Sequence, residues 1–434
     1  MYSCRRCLYG ILLYAATWGP TTAADEDRAT SDAFPTADAA VEVALEDNPG
    51  LAALRARADA AAAMPSQAGA LPDPTVSLGA LNFPVDTFDR GQEPMTQLEI
   101  GVSQALPFPG KRALTEKAAE FDADAERRSV EESRFQLVSD VQSSWWQLFY
   151  LDRALEIVGR NQELLRQLVA IAQTRYKVGE GLQQDVLLAQ VELSQLLDKS
   201  LQLTGARRGE AARFNALLDR PAYSPVELPP RIDTRLPEPL PATTLAEMAD
   251  RSRPLLDKLR RQLDAAQTRV ELARRDRLPD FTLGAAYGFR DGRDPDGASR
   301  PDMASLTLSM SVPLYADRKQ NRAVDQRNSE RLQQSFELQQ ERDRVHAAVE
   351  SALADYEQTR EQTRLFETGI IPQARQTVAS MRAGYQVNKV DFLNLIRAQI
   401  ALYDHETNYW QALAQAHQAL ARLTAAVGRE VTHD

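Results

Sequence analysis

Cysteine is nearly missing: Cys4 and Cys7 are the only two among 434 residues. Both precede an apolar run, Leu8 to Trp18, which follows Arg5 and Arg6 and ends at the small residues Thr22, Ala23 and Ala24. That is the pattern of a secretory signal cleaved near Ala24, so the exported chain is expected to carry no thiol, disulfide or cysteine metal ligand. No lipid-attachment cysteine follows the run. Histidine is scarce as well: His346, His405, His417 and His433 stand apart from ligand spacing, and the seven methionines are scattered, so neither a metal site nor a cofactor is expected. Basic residues are outnumbered by acidic ones, 51 to 61, which argues against nucleic acid as a partner. Beyond the signal no run approaches the roughly 18 apolar residues of a spanning helix, so any membrane crossing must be made by strands. With no nucleophile elbow, phosphate-binding glycine loop or histidine-centred cluster, the chain does not read as an enzyme.

What is present is repetition. YKVGEGLQQDVLLAQ at 176–190 returns as YQVNKVDFLNLIRAQ at 385–399, and LPDPTVSLGA at 71–80 returns as LPDFTLGAAY at 278–287. The offset stays between 207 and 209, the mark of a duplication. The expected organisation is a signal at 1–24, a first repeat at 25–220, a proline-rich linker at 221–242 and a second repeat at 243–434. Each repeat opens with an alanine-rich helical segment (37–68; 243–277), continues through two alternating segments, and ends in a much longer helix, a turn and a returning helix.

The alternating segments have one greasy face. In TQLEIGVSQ, Leu98, Ile100 and Val102 alternate with polar or small residues; in SLTLSMSVPL, Leu306, Leu308, Met310 and Val312 do the same. FTLGAAYGF repeats the pattern, and TVSLGALNF at 75–83 is the least regular. About ten residues suit a tilted strand crossing about 30 Å of hydrocarbon, although alternation alone fits hairpins on a soluble core equally well. The long polar connections PVDTFDRGQEP and RDGRDPDGASRPD favour a barrel, and Pro72, Pro74, Pro107, Pro109, Pro279 and Pro313 mark abrupt switches between helix and strand. Four strands cannot close a barrel, because the smallest membrane barrels have about eight. Several copies must therefore pool their strands, three copies giving twelve around a water-filled bore.

The long helices carry seams. From Leu137, the positions Val141, Ser144, Leu148, Leu151, Leu155, Val158, Gln162, Leu165, Val169, Ala172 and Tyr176 follow alternating steps of four and three. A helix from Lys111 to Tyr176 extends about 100 Å at about 1.5 Å per residue. A second rod is expected from Arg318 to Tyr385, with a break near Gly369 and Pro372. Each rod reverses at its tip, where Gly179 and Gly181 provide backbone freedom and Asn388 stands in place of Gly179. The returning helices carry Leu188, Val191 and Leu201 in one copy and Leu395 and Leu402 in the other as their seams.

SQALPFPGKR at 103–112, the two tips and the duplicated order of elements resemble the outer membrane factor family, the TolC-like exit ducts of tripartite efflux pumps and type I secretion systems. The resemblance covers nearly the whole exported chain. It implies a mainly α fold with a membrane β-barrel: a homotrimer whose protomers each contribute four strands to a 12-stranded barrel in outer membrane lipid. Duplicated helical hairpins would continue it as an α-barrel through the periplasm. It further implies partners, a periplasmic adapter and an inner-membrane resistance-nodulation-division pump. Carried onto this chain, the docking tips are Arg175, Tyr176, Val178, Gly179 and Asp185 with Gly384, Tyr385, Val387, Asn388 and Asp391, and Asp391 and Asp185 are candidate gate residues. PFPGKR is similar to the heavy-metal-efflux, CzcC-like branch, with metal choice residing in the pump.

Blander readings stand beside these. The two aspartates suit the starts of returning helices, where the helix dipole favours acids. Trp145 and Trp146 read as helix packing. ERRSVEESR and QQERDRVH read as solvated faces. The rival functions are a periplasmic adapter, which normally has one hairpin per chain, a secreted coiled-coil scaffold, and an outer membrane duct for drugs or secreted proteins.

Overall fold

A computed structural model describes residues 33–387 and 389–431. The expected signal, both cysteines, His433 and Asn388 lie outside the described residues. The chain opens with helices α1 (Ala37–Asp47), α2 (Pro49–Ala62) and α3 (Met64–Gly69). The sequence promised one helix over 37–68. Proline accounts for the division: Asn48 ends α1 and caps α2 by accepting from the Leu51 N–H at 3.0 Å, with Pro49 in the first turn, and Pro65 likewise opens α3.

Strands β1 (Thr75–Leu81) and β2 (Gln97–Leu106) follow, then α4 (Lys111–Lys177), a single helix of 67 residues, and the returning α5 (Gln183–Leu217). An extended stretch, 218–241, leads to α6 (Ala242–Ser252) and α7 (Pro254–Arg275). The same order then recurs: β3 (Phe281–Phe289), β4 (Met303–Met310), α8 (Gln320–Leu365), a π-helical turn at Phe366–Ile370, α9 (Ile371–Gln386) and α10 (Phe392–Val427). The π turn occupies the predicted break, since Pro372 lacks the N–H that an uninterrupted ladder needs.

The four strands form one antiparallel sheet in the order β1-β2-β3-β4. Its register aligns apolar with apolar: Val76, Val102, Ala285 and Leu306 form one row, and Leu78, Ile100, Tyr287 and Ala304 the next. Intervening rows carry Ser77, Gly101, Ala286 and Ser305. Because facing residues in an antiparallel pair share a side, the sheet has one greasy face and one face of small residues. The greasy face is open, with Leu78 at 82% and Leu306 at 78% exposure. The outer edges of β1 and β4 have no strand beside them among the described residues.

The α4 seam is buried at Val141, Leu148, Leu151, Val158, Leu165 and Ala172, whereas Tyr176 is exposed. The α5 reading needs correction. Val191 and Leu201 face outward, and the buried stripe is Ala189 and Leu203, flanked by Val186, Leu193 and Leu196. Helix α5 has more apolar residues than one neighbour covers, so periodicity alone does not select the face. The stretch after α5 also does more than connect: Val226 is buried, and Leu228, Ile232 and Leu236 pack on the Trp145 cluster.

Within this waist of the molecule His417 stacks on Trp146, ring centroids 3.6 Å apart. Its Nε2 is buried without a partner. Burial pushes the imidazole down to about 4 from its ordinary 6.5, while Asp233, itself held by Arg235, pulls the other way. Arg134, Arg231 and Asp38 line the same recess. A base depressed in the folded state binds fewer protons there than in the unfolded chain, so stability is full above about 6.5 and falls as pH drops toward 4. Melting His417→Gln across this window is expected to show a flatter pH dependence than the natural chain.

Candidate functional site

Both hairpin tips lie at the end of α4 remote from the sheet. Leu165, Leu168 and Ala172 of α4, Ala189 of α5 and Phe392, Leu395 and Ile396 of α10 share one core there. Tip one is built by the end of α4. The Glu180 N–H donates to the Arg175 carbonyl at 2.9 Å and the Gly179 N–H to the Tyr176 carbonyl at 3.1 Å, with Gly179 left-handed at φ +77°. This paired closure needs a left-handed residue after the helix, which glycine adopts without strain. Gly181 serves differently: an added Cβ would meet Arg175 Cβ at 3.0 Å, so its role is close approach.

Tip two repeats the outer bond, Lys389 N–H to the Gly384 carbonyl at 2.9 Å. Here Gly384 must also be small, since a Cβ would meet Val390 Cγ2 at 2.6 Å. Asp391 is the N-cap of α10, its Oδ1 accepting from the Asn394 N–H at 2.9 Å. Asp185 lies in the first turn of α5. Tyr176, Val178 and Val387 are exposed. Of the tip residues, the structure brings Arg175 and Tyr385 together: the guanidinium lies 4.6 Å from the Tyr385 ring centre, and that ring leans on Phe392 at 5.5 Å. This contact joins hairpins 210 positions apart, and no local pattern announces it.

PFPGKR has a visible task at the other end of α4. Lys111, only 7% exposed, donates to the Leu278 carbonyl at 3.0 Å and to Asp280 Oδ1 at 2.9 Å, and Phe108 N–H donates to the same oxygen at 2.7 Å. Partial burial raises the Asp280 carboxyl, but the ammonium and the N–H prevail and hold it below the usual carboxylate range. Gly110, at φ +88°, leaves room for Arg275, whose Nη1 donates to the Pro109 carbonyl. The motif ties the first strand pair to LPD of the second. The connections at the far side of the sheet are tied too, Arg300 donating to the carbonyls of Gly91 and Glu93.

The geometry is therefore an open apolar sheet, two helical hairpins whose outgoing arms run about 100 Å and returning arms about 50 Å, and paired tips. A family model, Outer membrane efflux protein, matches residues 40–219 and 245–429. The chain belongs to the outer membrane efflux protein family. Among its relatives, the cobalt-zinc-cadmium resistance protein CzcC of Cupriavidus metallidurans is 22% identical over 403 residues, spanning 91% of this chain and 90% of the relative. The alkaline protease secretion protein AprF of Pseudomonas aeruginosa is 25% identical over 283 residues, 62% of this chain and 56% of the relative. The fold matches the outer-membrane channel OprN with a TM-score of 0.76 at 20% identity, over 91% of this chain and 90% of that one. Among the described residues of this efflux protein, no helix is long and apolar enough to cross a membrane.

Proposed function

We propose that this efflux protein assembles as a homotrimer in the outer membrane and reaches into the periplasm as the passive exit duct of a tripartite system. The carrying observation is the sheet: its apolar rows are exposed, and its two outer edges await strands. Unpaired edges are untenable in lipid, where each unsatisfied backbone group costs several kcal/mol. Pairing β1 of one copy with β4 of the next in a ring of three closes twelve strands, with the small-residue face lining a wet bore. The energy for export comes from an inner-membrane resistance-nodulation-division pump, reached through a periplasmic adapter that meets the tips. Likeness to a cobalt-zinc-cadmium resistance protein over nearly the full length supports heavy-metal cations as the cargo. The chain divides in this reading into repeats 25–220 and 243–434 joined by 221–242, with 1–24 removed on export.

Planar-bilayer recording of the detergent-extracted protein tests the duct. A trimer that dissociates only on heating and conducts as single channels is the expected result; a water-soluble monomer without conductance sinks the proposal.

The tips are the gate and docking surface in the same reading. Tyr385→Ala removes the aromatic face under Arg175, a contact of about 0.5–1 kcal/mol where exposed, and is expected to raise basal open probability. Asp391→Asn keeps an N-cap acceptor while deleting the charge, whereas Asp391→Ala deletes both at about 1 kcal/mol of helix stability. If only the alanine variant alters conductance and cation block, Asp391 is a cap and not a charged gate.

A further inference from the structure

A second feature lies halfway along the hairpins, where α5 and α10 flank α4 over a cavity of about 330 Å³. That volume falls in the range of small-molecule sites, about 300–1,000 Å³. Its apolar floor is Leu165, Leu196 and Ile400. Two hydroxyls one turn apart on α10, Tyr403 Oη and Thr407 Oγ1, are buried there within reach of each other, and neither makes a hydrogen bond of ordinary geometry. Their residues are 8% and 7% exposed, and buried hydroxyls whose hydrogen bonding is incomplete point to a missing occupant or water. Glu192, Lys199 and Asp404 also line the cavity. No ion pair within 4.0 Å joins any of them to another group among the described residues. Burial raises the Asp404 carboxyl above its ordinary value, while His405 and Lys199 oppose that rise. With two carboxylates against one ammonium, the slot favours a cation, and no group of three or more His, Cys, Asp or Glu placed to hold a metal occurs among the described residues.

We infer that this slot binds a small organic cation, an amidinium or ammonium on an apolar body, whose charge meets Asp404 and Glu192 and whose N–H groups reach the Tyr403 and Thr407 hydroxyls. The ring or alkyl body rests on the leucine and isoleucine floor. Lys199 at the mouth works against such a ligand and sets the affinity below what the two acids would allow. The slot is built within one copy of the chain, so its test is separate from that of the duct.

The probe is benzamidinium chloride, titrated calorimetrically into the detergent-solubilised full chain, with neutral benzamide as control. Saturable benzamidinium binding is expected, weakened about tenfold or more by Asp404→Asn because a charged hydrogen-bond partner is lost. Thr407→Val is expected to weaken it by a few-fold and Lys199→Gln to strengthen it by a few-fold, the scale of single exposed or neutral contacts. Asp404 is an exposed residue, so Asp404→Asn should melt close to the natural chain; unchanged melting separates lost binding from lost structure. Absence of saturable binding, equal binding of benzamide, or an unaltered affinity in Asp404→Asn overturns the assignment. So does displacement of benzamidinium by equimolar zinc chloride, which would make the slot a metal site.

Discussion

Replacing Leu306 with arginine is expected to abolish accumulation of assembled protein in the outer membrane, while Ser305→Arg, one residue away, leaves most of it intact. Leu306 sits on the row with Val76, Val102 and Ala285, near the middle of the strands, and is 78% exposed. Its side chain meets lipid if the sheet is part of a barrel. An arginine at the midplane of a barrel's lipid face costs about 2–4 kcal/mol, and each copy of a trimer incurs it. Ser305 lies on the row of Ser77, Gly101 and Ala286, which in the proposed barrel faces the bore, where a guanidinium remains hydrated. The measurement is the amount of heat-dissociable trimer on unheated gels of outer membrane extracts. Equal damage from both variants would mean that both faces are covered by protein, and the greasy rows would then be an ordinary core.

That prediction rests on features legible in the sequence, and it is instructive why. The strands and their greasy face were readable because alternation of Leu98, Ile100 and Val102 or of Leu306, Leu308 and Met310 states a period of two without competition from nearby turns, whereas their register was not. The long helix α4 was readable to within a residue at its end, since seam positions persist over many heptads and Gly179 closes it. Failures arose where several surfaces compete for the same residue type. Val191 and Leu201 fit a heptad as well as Ala189 and Leu203 do, yet the single chain buries only the second pair. A covering partner decides such a choice, and the chain's own pattern does not name it. Local proline chemistry was underused at Pro49, which divides the first helical segment. The pairing of Arg175 with Tyr385 and of Lys111 with Asp280 was beyond reach, because each joins residues more than 160 positions apart through the packing of whole elements. The tryptophans fell between: a packing role was readable from Leu148 and Phe149, but their stacking on His417 and contact with Phe34 were not.

The second large effect concerns those tryptophans. Trp145→Ala is expected to destabilise the waist by about 3–5 kcal/mol, the range for deleting a large buried aromatic. Trp145 is 2% exposed, lies parallel to Phe149 at 5.6 Å and meets Trp146 edge-on at 5.1 Å. Its Nε1 donates to the Phe34 carbonyl at 3.2 Å, and Phe34 in turn packs edge-on against Phe214 of α5 at 5.2 Å. One indole therefore links the start of the described chain, α4, α5 and the extended stretch containing Val226. Trp145→Phe keeps much of the apolar area and loses the N–H, so its loss should be nearer that of one hydrogen bond and a partial cavity, about 1–3 kcal/mol. Thermal melting of the detergent-solubilised protein should rank the natural chain above Trp145→Phe and that variant above Trp145→Ala. Because the waist lies far along α4 from the sheet, the proposed barrel should still form in both variants, leaving outer membrane recovery near normal at low temperature while resistance to heating falls. If Trp145→Ala melts with the natural chain, the aromatic cluster is dispensable, and cohesion of the hairpins must come from the heptad seams alone.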